Sequence, residues 1–367
     1  MNHLIPFWFI VIAILWTGFF ILEGFDFGVG MLHGVVGQDE AGRRAAINTI
    51  GPLWDGNEVW LIVAGAAIFA AFPGWYATMF SGFYLAVVFL LGALMARGTS
   101  FEFRGKRDDA GWRRMWDGLL TGGSLLVPLF IGIALGDLLA GLPIDKSQNY
   151  TGSFWDLLQP YGIYTGITLV AVCVLHGATF ITLKTTGQVA DRAARAAART
   201  GPVTALIVIG WAIWTHAIAG KGFFPNPVEI GIIIVVIAAA WLAWDRREGW
   251  AFACSTITIA LAMLTLFTEL YPNVMISSTS SAYNLTITNT ASPSYSLKIM
   301  TIVAVLLLPV VLAYTAWSYY VFRRRLTTSD FQPSHSGPAG SPGPADAAGP
   351  APGPDSGRTE LRSSHGS

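Results

Sequence analysis

FWFIVIAILWTGFFILEGFDFGVGMLHG, residues 7–34, decides the class of fold. At 1.5 Å per residue this apolar run is long enough to cross the roughly 30 Å of hydrocarbon in a bilayer. It lacks a basic leader and is too long for the core of a cleaved signal, so it reads as a retained first membrane helix. Further apolar stretches fall at 49–71, 76–97, 116–140, 161–184, 202–220, 228–244, 250–271 and 298–322, with 202–220 and 228–244 the shortest. Lipid offers no hydrogen bonds to open backbone groups, so each stretch must be helical. The expectation is an all-α polytopic membrane protein of about nine transmembrane helices.

Composition agrees. Apolar residues make up 53% of the chain and charged residues 12%, against about 25% charge in soluble domains. Such a chain cannot cover a water-facing surface of its size, so most of its outer face meets lipid. Basic and acidic residues balance at 22 each, which excludes the basic field a nucleic-acid partner needs. Cys173 and Cys254 both lie inside apolar runs and read as buried free thiols, with no disulfide or metal framework.

The loop charges orient the spans. Arg43 and Arg44 follow the first span; Arg97, Arg104, Lys106, Arg107, Arg113 and Arg114 follow the third. Lys184, Arg192, Arg195 and Arg199 follow the fifth, Arg246 and Arg247 the seventh, and Arg323, Arg324 and Arg325 the ninth. The alternate loops hold only Lys146, Lys221 and Lys298. By the positive-inside rule the N-terminus lies outside and the C-terminus in the cytoplasm, which requires an odd number of spans. The polar loop 272–297 then faces outward, either ordered against a partner or as a flexible connector. Residues 327–367 are rich in Pro, Gly and Ala without apolar period and read as a disordered cytoplasmic tail after a membrane domain of 1–326.

Four acids interrupt the apolar helices. Glu23 and Asp26 lie in EGFDFGVG; Asp55 and Glu58 lie in GPLWDGNEVWL. Each pair has i, i+3 spacing and shares a helix face. A charge at the bilayer centre costs about 2.5–3.5 kcal/mol on insertion scales, so four are not accidents. Counted along the helices, Glu23 lies roughly 24 Å into the first span and Asp55 about 9 Å into the second, from opposite sides. All four fall near the cytoplasmic third and can form one cluster facing the interior. A carboxyl group in low dielectric can exchange protons near neutral pH. The structural reading is that the acids cap irregular backbone, with Pro52 and Gly56 loosening the second helix and Asn57 offering amide bonds. Gly24-x-x-x-Gly28 and Gly162-x-x-x-Gly166 have the spacing of close helix contacts. Trp8, Trp75, Tyr76, Trp155 and Tyr161 sit at span ends, where aromatic belts form. His176 and His216 fall at different depths, with His33 at the cytoplasmic mouth and His3 in the outer tail. No two can grip one haem, and no Cys-x-x-Cys-His site exists.

EGFDFGVGML (23–32), INTIGPLWDGNEVWLIVAGAAIFAAFPGWYA (47–77) and RGTSFEFR (97–104) together resemble the N-terminal half of subunit II of cytochrome bd-type quinol oxidases. Within those strings Trp54, Gly56, Asn57, Trp60, Arg97, Glu102 and Arg104 carry the likeness beside the acids. The resemblance implies nine helices arranged as two four-helix bundles plus a peripheral helix. It implies a heterodimer with a subunit I that holds two b-type haems, haem d and the quinol site, small single-helix subunits in some members, and a bacterial cytoplasmic membrane. Subunit II binds no haem, has no activity alone, and holds a structural quinone in some members. Asp55 matches the family acid of the cytoplasmic proton path and Asp26 its acid in the first helix. Two other readings are a proton-coupled secondary transporter, for which no second copy of the acid-bearing segment exists, and a purely structural assembly subunit.

Overall fold

The computed structural model describes residues 3–220 and 226–331, which form one compact unit. Lys221 and the tail 332–367 lie outside them. The first span is a single helix, α1 (Leu4–Val36). A short amphipathic helix, α2 (Glu40–Asn48), follows, started by Asp39, whose side chain accepts from the Gly42 N–H.

The second span begins later than its apolar stretch. Residues 49–53 form turns and α3 runs Trp54–Ala71, so Pro52 precedes the helix and does not loosen it. Asp55 therefore sits in the first turn of α3, where the helix dipole favours a negative charge. The third span is two helices, α4 (Pro73–Gly82) and α5 (Tyr84–Phe103), broken at Phe83. Then come α6 (Ala110–Ala140), α7 (Pro160–Lys184), α8 (Gly187–Ala219), α9 (Pro227–Trp244), α10 (Glu248–Leu270) and α11 (Ser294–Val321).

Among the described residues eight helices are both long and apolar enough to cross a membrane. The ninth expected span, α3, has the length, but WDGNE at its start dilutes its apolarity. Helices α1, α3, α5 and α6 pack as one bundle and α7–α10 as a second. The two meet where α6 and α1 lie against α7, while α11 runs along the outside with only Leu297 buried.

Glycine sets the closest approaches. A Cβ on Gly28 would stand 2.1 Å from the Cys173 carbonyl oxygen, and one on Gly177 would meet Gly28 at 2.5 Å. Gly132 and Gly136 of α6 meet Gly166 and Gly162 of α7 in the same way.

Three features depart from the expectation. The 272–297 loop orders against its own chain: β1 (Asn273–Met275) pairs antiparallel with β2 (Leu285–Thr286). Ser277 bridges to Leu142, and Ser292 bonds to Ala71 and Ala70. After α11, Leu326 bridges to Thr185 and Thr328–Phe331 form a 3₁₀ turn, so defined structure passes the boundary placed at 326. Of the expected belt aromatics, Trp8, Trp75 and Tyr161 are buried and face inward.

Candidate functional site

The structure gathers three of the four acids around one base. Arg97, in the last two turns of α5, is not the loop cation its place in the charge tally implied. It is fully buried, with Nη2 2.6 Å from Glu23 Oε1 and Nη1 3.1 Å from Glu58 Oε2. Its guanidinium carbon lies 4.9 Å from the Phe27 ring and 5.3 Å from the Phe101 ring, aromatic faces that favour a cation. Trp54 stacks on Phe101 at 4.8 Å, with Gly98 leaving room for its ring, and Trp60 packs over Gly18.

Asp26 is also fully buried, and Asn57 serves it. The Asn57 amide donates to Asp26 Oδ2 at 2.8 Å and to the Leu22 carbonyl at 3.1 Å. Asp26 Oδ1 is buried without a hydrogen-bond partner. One guanidinium thus stands among three carboxyl groups. Buried charge without a counter-charge is costly.

Asp55 does not join this cluster. It is exposed on the far side of the first turn of α3, and Gly56 beside it is exposed too. Glu58, one turn on, is 21% exposed. It is the one charged residue lining an apolar groove of about 810 Å³ between α3 and α5, walled by Trp54, Leu61, Phe83, Leu90 and Met95. The acids therefore grade inward, from exposed Asp55 through Glu58 to sealed Glu23 and Asp26. Of the small pair on α1, a Cβ on Gly24 would meet only side chains, of Ile259, Cys173 and His176, at ordinary contact distance, while one on Gly28 would strike backbone.

A second ionic group closes the arginine-rich end. Arg104 donates to both Glu40 oxygens at 2.9 Å and pairs with Asp117 of α6. Asp117 also meets His33 at 3.1 Å and Arg43 at 3.3 Å, so α1, α2, α5 and α6 are tied together. Glu102 is exposed and outside this group.

Burial works against the charged form of Glu40. The hydrogen bond and charge of Arg104, with Arg113 and Arg44, nonetheless hold its carboxyl below its ordinary 4.5. Stability from this clamp is fully present above pH 4.5 and is lost as pH falls through the lower folded-state value. The Tm gap between wild type and Glu40→Gln should close on acidification, whereas a gap independent of pH would rule out the electrostatic account.

Three of the imidazoles, His33, His176 and His216, are engaged by protein. His33 Nδ1 lies 2.8 Å from the Gly30 carbonyl. His176 bonds Ser255 at 2.7 Å and the Ile21 carbonyl at 3.2 Å, stacked on Phe252. His216 pairs with Glu229 at 3.0 Å near the opposite end. No group of three or more metal-ligating side chains occurs among the described residues.

The sequence reading missed Asp117, Glu40, Tyr319 and Asp137. Asp137 is fully buried in α6, its carboxyl pressed against Gly162. An acid inside the 116–140 stretch was the same signal that singled out Asp55. Tyr319 carried no such signal.

A two-bundle, all-α membrane protein with an arginine-centred carboxyl cluster under its surface defines the class. The sequence profile of the family described as "Cytochrome bd terminal oxidase subunit II" matches residues 4–322, and the chain belongs to that family. It is 44% identical over 331 residues to "Cytochrome bd ubiquinol oxidase subunit 2" of Bacillus subtilis (strain 168), covering 89% of this chain and 98% of that one. It is 35% identical over 364 residues to "Cytochrome bd-I ubiquinol oxidase subunit 2" of Escherichia coli (strain K12), covering 89% and 96%. The bd oxidase structure from Geobacillus thermodenitrificans shares the fold, with TM-score 0.67 and 18% identity over 87% of this chain and 99% of that chain. The protein is accordingly a subunit of a membrane-bound quinol-oxidising oxidoreductase.

Proposed function

We propose that this chain is the haem-free subunit II of its oxidase and carries protons from the arginine-rich face toward dioxygen reduction in a haem-bearing subunit I. That face is cytoplasmic in this reading, with the N-terminus outside, as the cation asymmetry requires. The observation that carries the proposal is the graded row of acids ending on one guanidinium: Asp55 exposed, Glu58 part-exposed, Glu23 and Asp26 sealed. Such a row can take up a proton at the surface and hold it where charge balance calls for one.

Haems b and d would reside in the partner and supply the electron and oxygen chemistry. Here His33 and His176 are committed to protein partners at both ring nitrogens, which does not fit an axial ligand. The groove beside Glu58 has the apolar lining that the chain of a structural quinone requires. The tail beyond 331 takes no part in this reading.

The test uses the complex purified through this chain. Asp26→Asn is expected to slow quinol-driven oxygen consumption by about tenfold or more. Asp55→Asn should slow it less, because a surface group has alternatives. Haem absorption and subunit content should stay unchanged in both. Wild-type turnover in both variants would leave a purely structural subunit. Proton transport by the chain alone in liposomes would instead favour a secondary transporter.

A further inference from the structure

We propose that Tyr319, on the peripheral helix α11, is a positioning residue for the proton site through Asn57; this rests on the proton-carrying role of Asp26. Helix α11 otherwise lies outside both bundles, with one buried residue. Yet the Tyr319 hydroxyl donates to Asn57 Oδ1 at 2.9 Å, with its ring edge-on to Phe25 at 6.4 Å.

The geometry explains why that bond matters. A side-chain amide has one oxygen acceptor and two N–H donors. Both Asn57 donors are spent on one side, toward Asp26 Oδ2 and the Leu22 carbonyl. The oxygen must then face the opposite way, and Tyr319 is the group that meets it there. Rotating the amide by half a turn would point its oxygen at two acceptors, Asp26 Oδ2 and the Leu22 carbonyl, and would end the bond that the Tyr319 hydroxyl now donates to Oδ1. The three bonds together keep a donor aimed at Asp26, whatever the occupancy of its neighbours. They also polarise one another in a water-poor site. The titratable and charged groups facing Asp26 are Glu23 on its own helix, Glu58 on α3, Arg97 on α5 and Tyr319 on α11. Of these, only Tyr319 reaches it through a neutral amide. A helix at the edge of the subunit thereby holds the orientation of an acid at its centre.

Tyr319→Phe removes one oxygen and keeps the ring against Phe25. In the purified complex it should lower quinol oxidase turnover by about two- to tenfold, the range that one lost hydrogen bond spans. It should also alter the pH profile of turnover and shift the infrared carbonyl band assigned by comparison with Asp26→Asn. Haem content and Tm should stay close to wild type. Tyr320→Phe, the exposed neighbour, serves as control and should change none of these. Asn57→Ala should slow turnover at least as much, and adding Tyr319→Phe to it should cost nothing more. If Asp26→Asn slows the enzyme but Tyr319→Phe keeps wild-type turnover, pH profile and carbonyl band, the positioning role is wrong while the proton reading stands. Additive losses in the double variant would also overturn it. If Asp26→Asn itself runs at the wild-type rate, Asp26 carries no proton that limits turnover, and the positioning role of Tyr319 fails with it.

Discussion

Arg97→Ala is expected to prevent the subunit from accumulating in a folded complex. The guanidinium is fully buried and lies within ion-pair distance of Glu23 and Glu58, with aromatic rings at 4.9 and 5.3 Å. Truncation leaves two acids facing each other in an apolar site. Removing one partner of a buried ion pair costs about 3–5 kcal/mol, comparable with a large part of a protein's net stability. Arg97→Lys keeps the charge but not the fork that reaches two carboxyls at once. It should fold better than the alanine variant and still run below wild type. The measurement is membrane content of the subunit and Tm of the detergent-extracted complex. Normal content of Arg97→Ala, with unchanged Tm, would show that protons alone can neutralise the cluster. Restoration of Arg97→Ala by adding Glu23→Gln and Glu58→Gln would confirm that stranded carboxyls cause the loss.

Gly28→Ala should be equally damaging, for a steric reason. The added carbon would lie 2.1 Å from the Cys173 carbonyl oxygen and 2.7 Å from the Gly177 Cα, both backbone atoms that cannot swing aside. Helices α1 and α7 would have to separate, opening the seam between the bundles. Overpacking a well-packed core typically costs about 1–3 kcal/mol, and a backbone clash stands at or above the top of that range. Gly24→Ala, in the same small-residue motif, meets only side-chain atoms at 3.6 Å or more and should be tolerated. Yield and Tm of the two variants decide the matter. Equal behaviour would mean that α1 is free to shift on α7.

The spans, their order and the one-sided distribution of cations were legible because they are local properties. Each helix must be apolar over the bilayer thickness and must satisfy its own backbone, whatever its neighbours do. The acids were legible for the same reason: a carboxyl in an apolar run costs free energy wherever the helix points. The motif strings also sufficed to suggest the family. The breaks were harder. Residues 49–53 are apolar enough to extend a span yet fold as turns, and Phe83 interrupts an apolar stretch that reads as continuous. The order of the 272–297 loop was invisible because its bonds go to distant residues such as Leu142 and Ala71.

Which acid meets which base was decided only in three dimensions. The i, i+3 spacing predicted one shared cluster for Asp55 and Glu58, but the rotation of α3 about its axis turns Glu58 toward Arg97 and leaves Asp55 exposed. Arg97 looked like a loop cation because it follows an apolar stretch, yet the helix continues past it to Phe103 and carries it inward. Tyr319 is more than 260 positions from Asn57 and bears no sign of a polar task in its own helix. Hydropathy and charge belong to single segments and can be read from a linear string. Helix rotation is set by where backbones can touch, as at Gly28 and Gly177, and that exists only once the segments have packed.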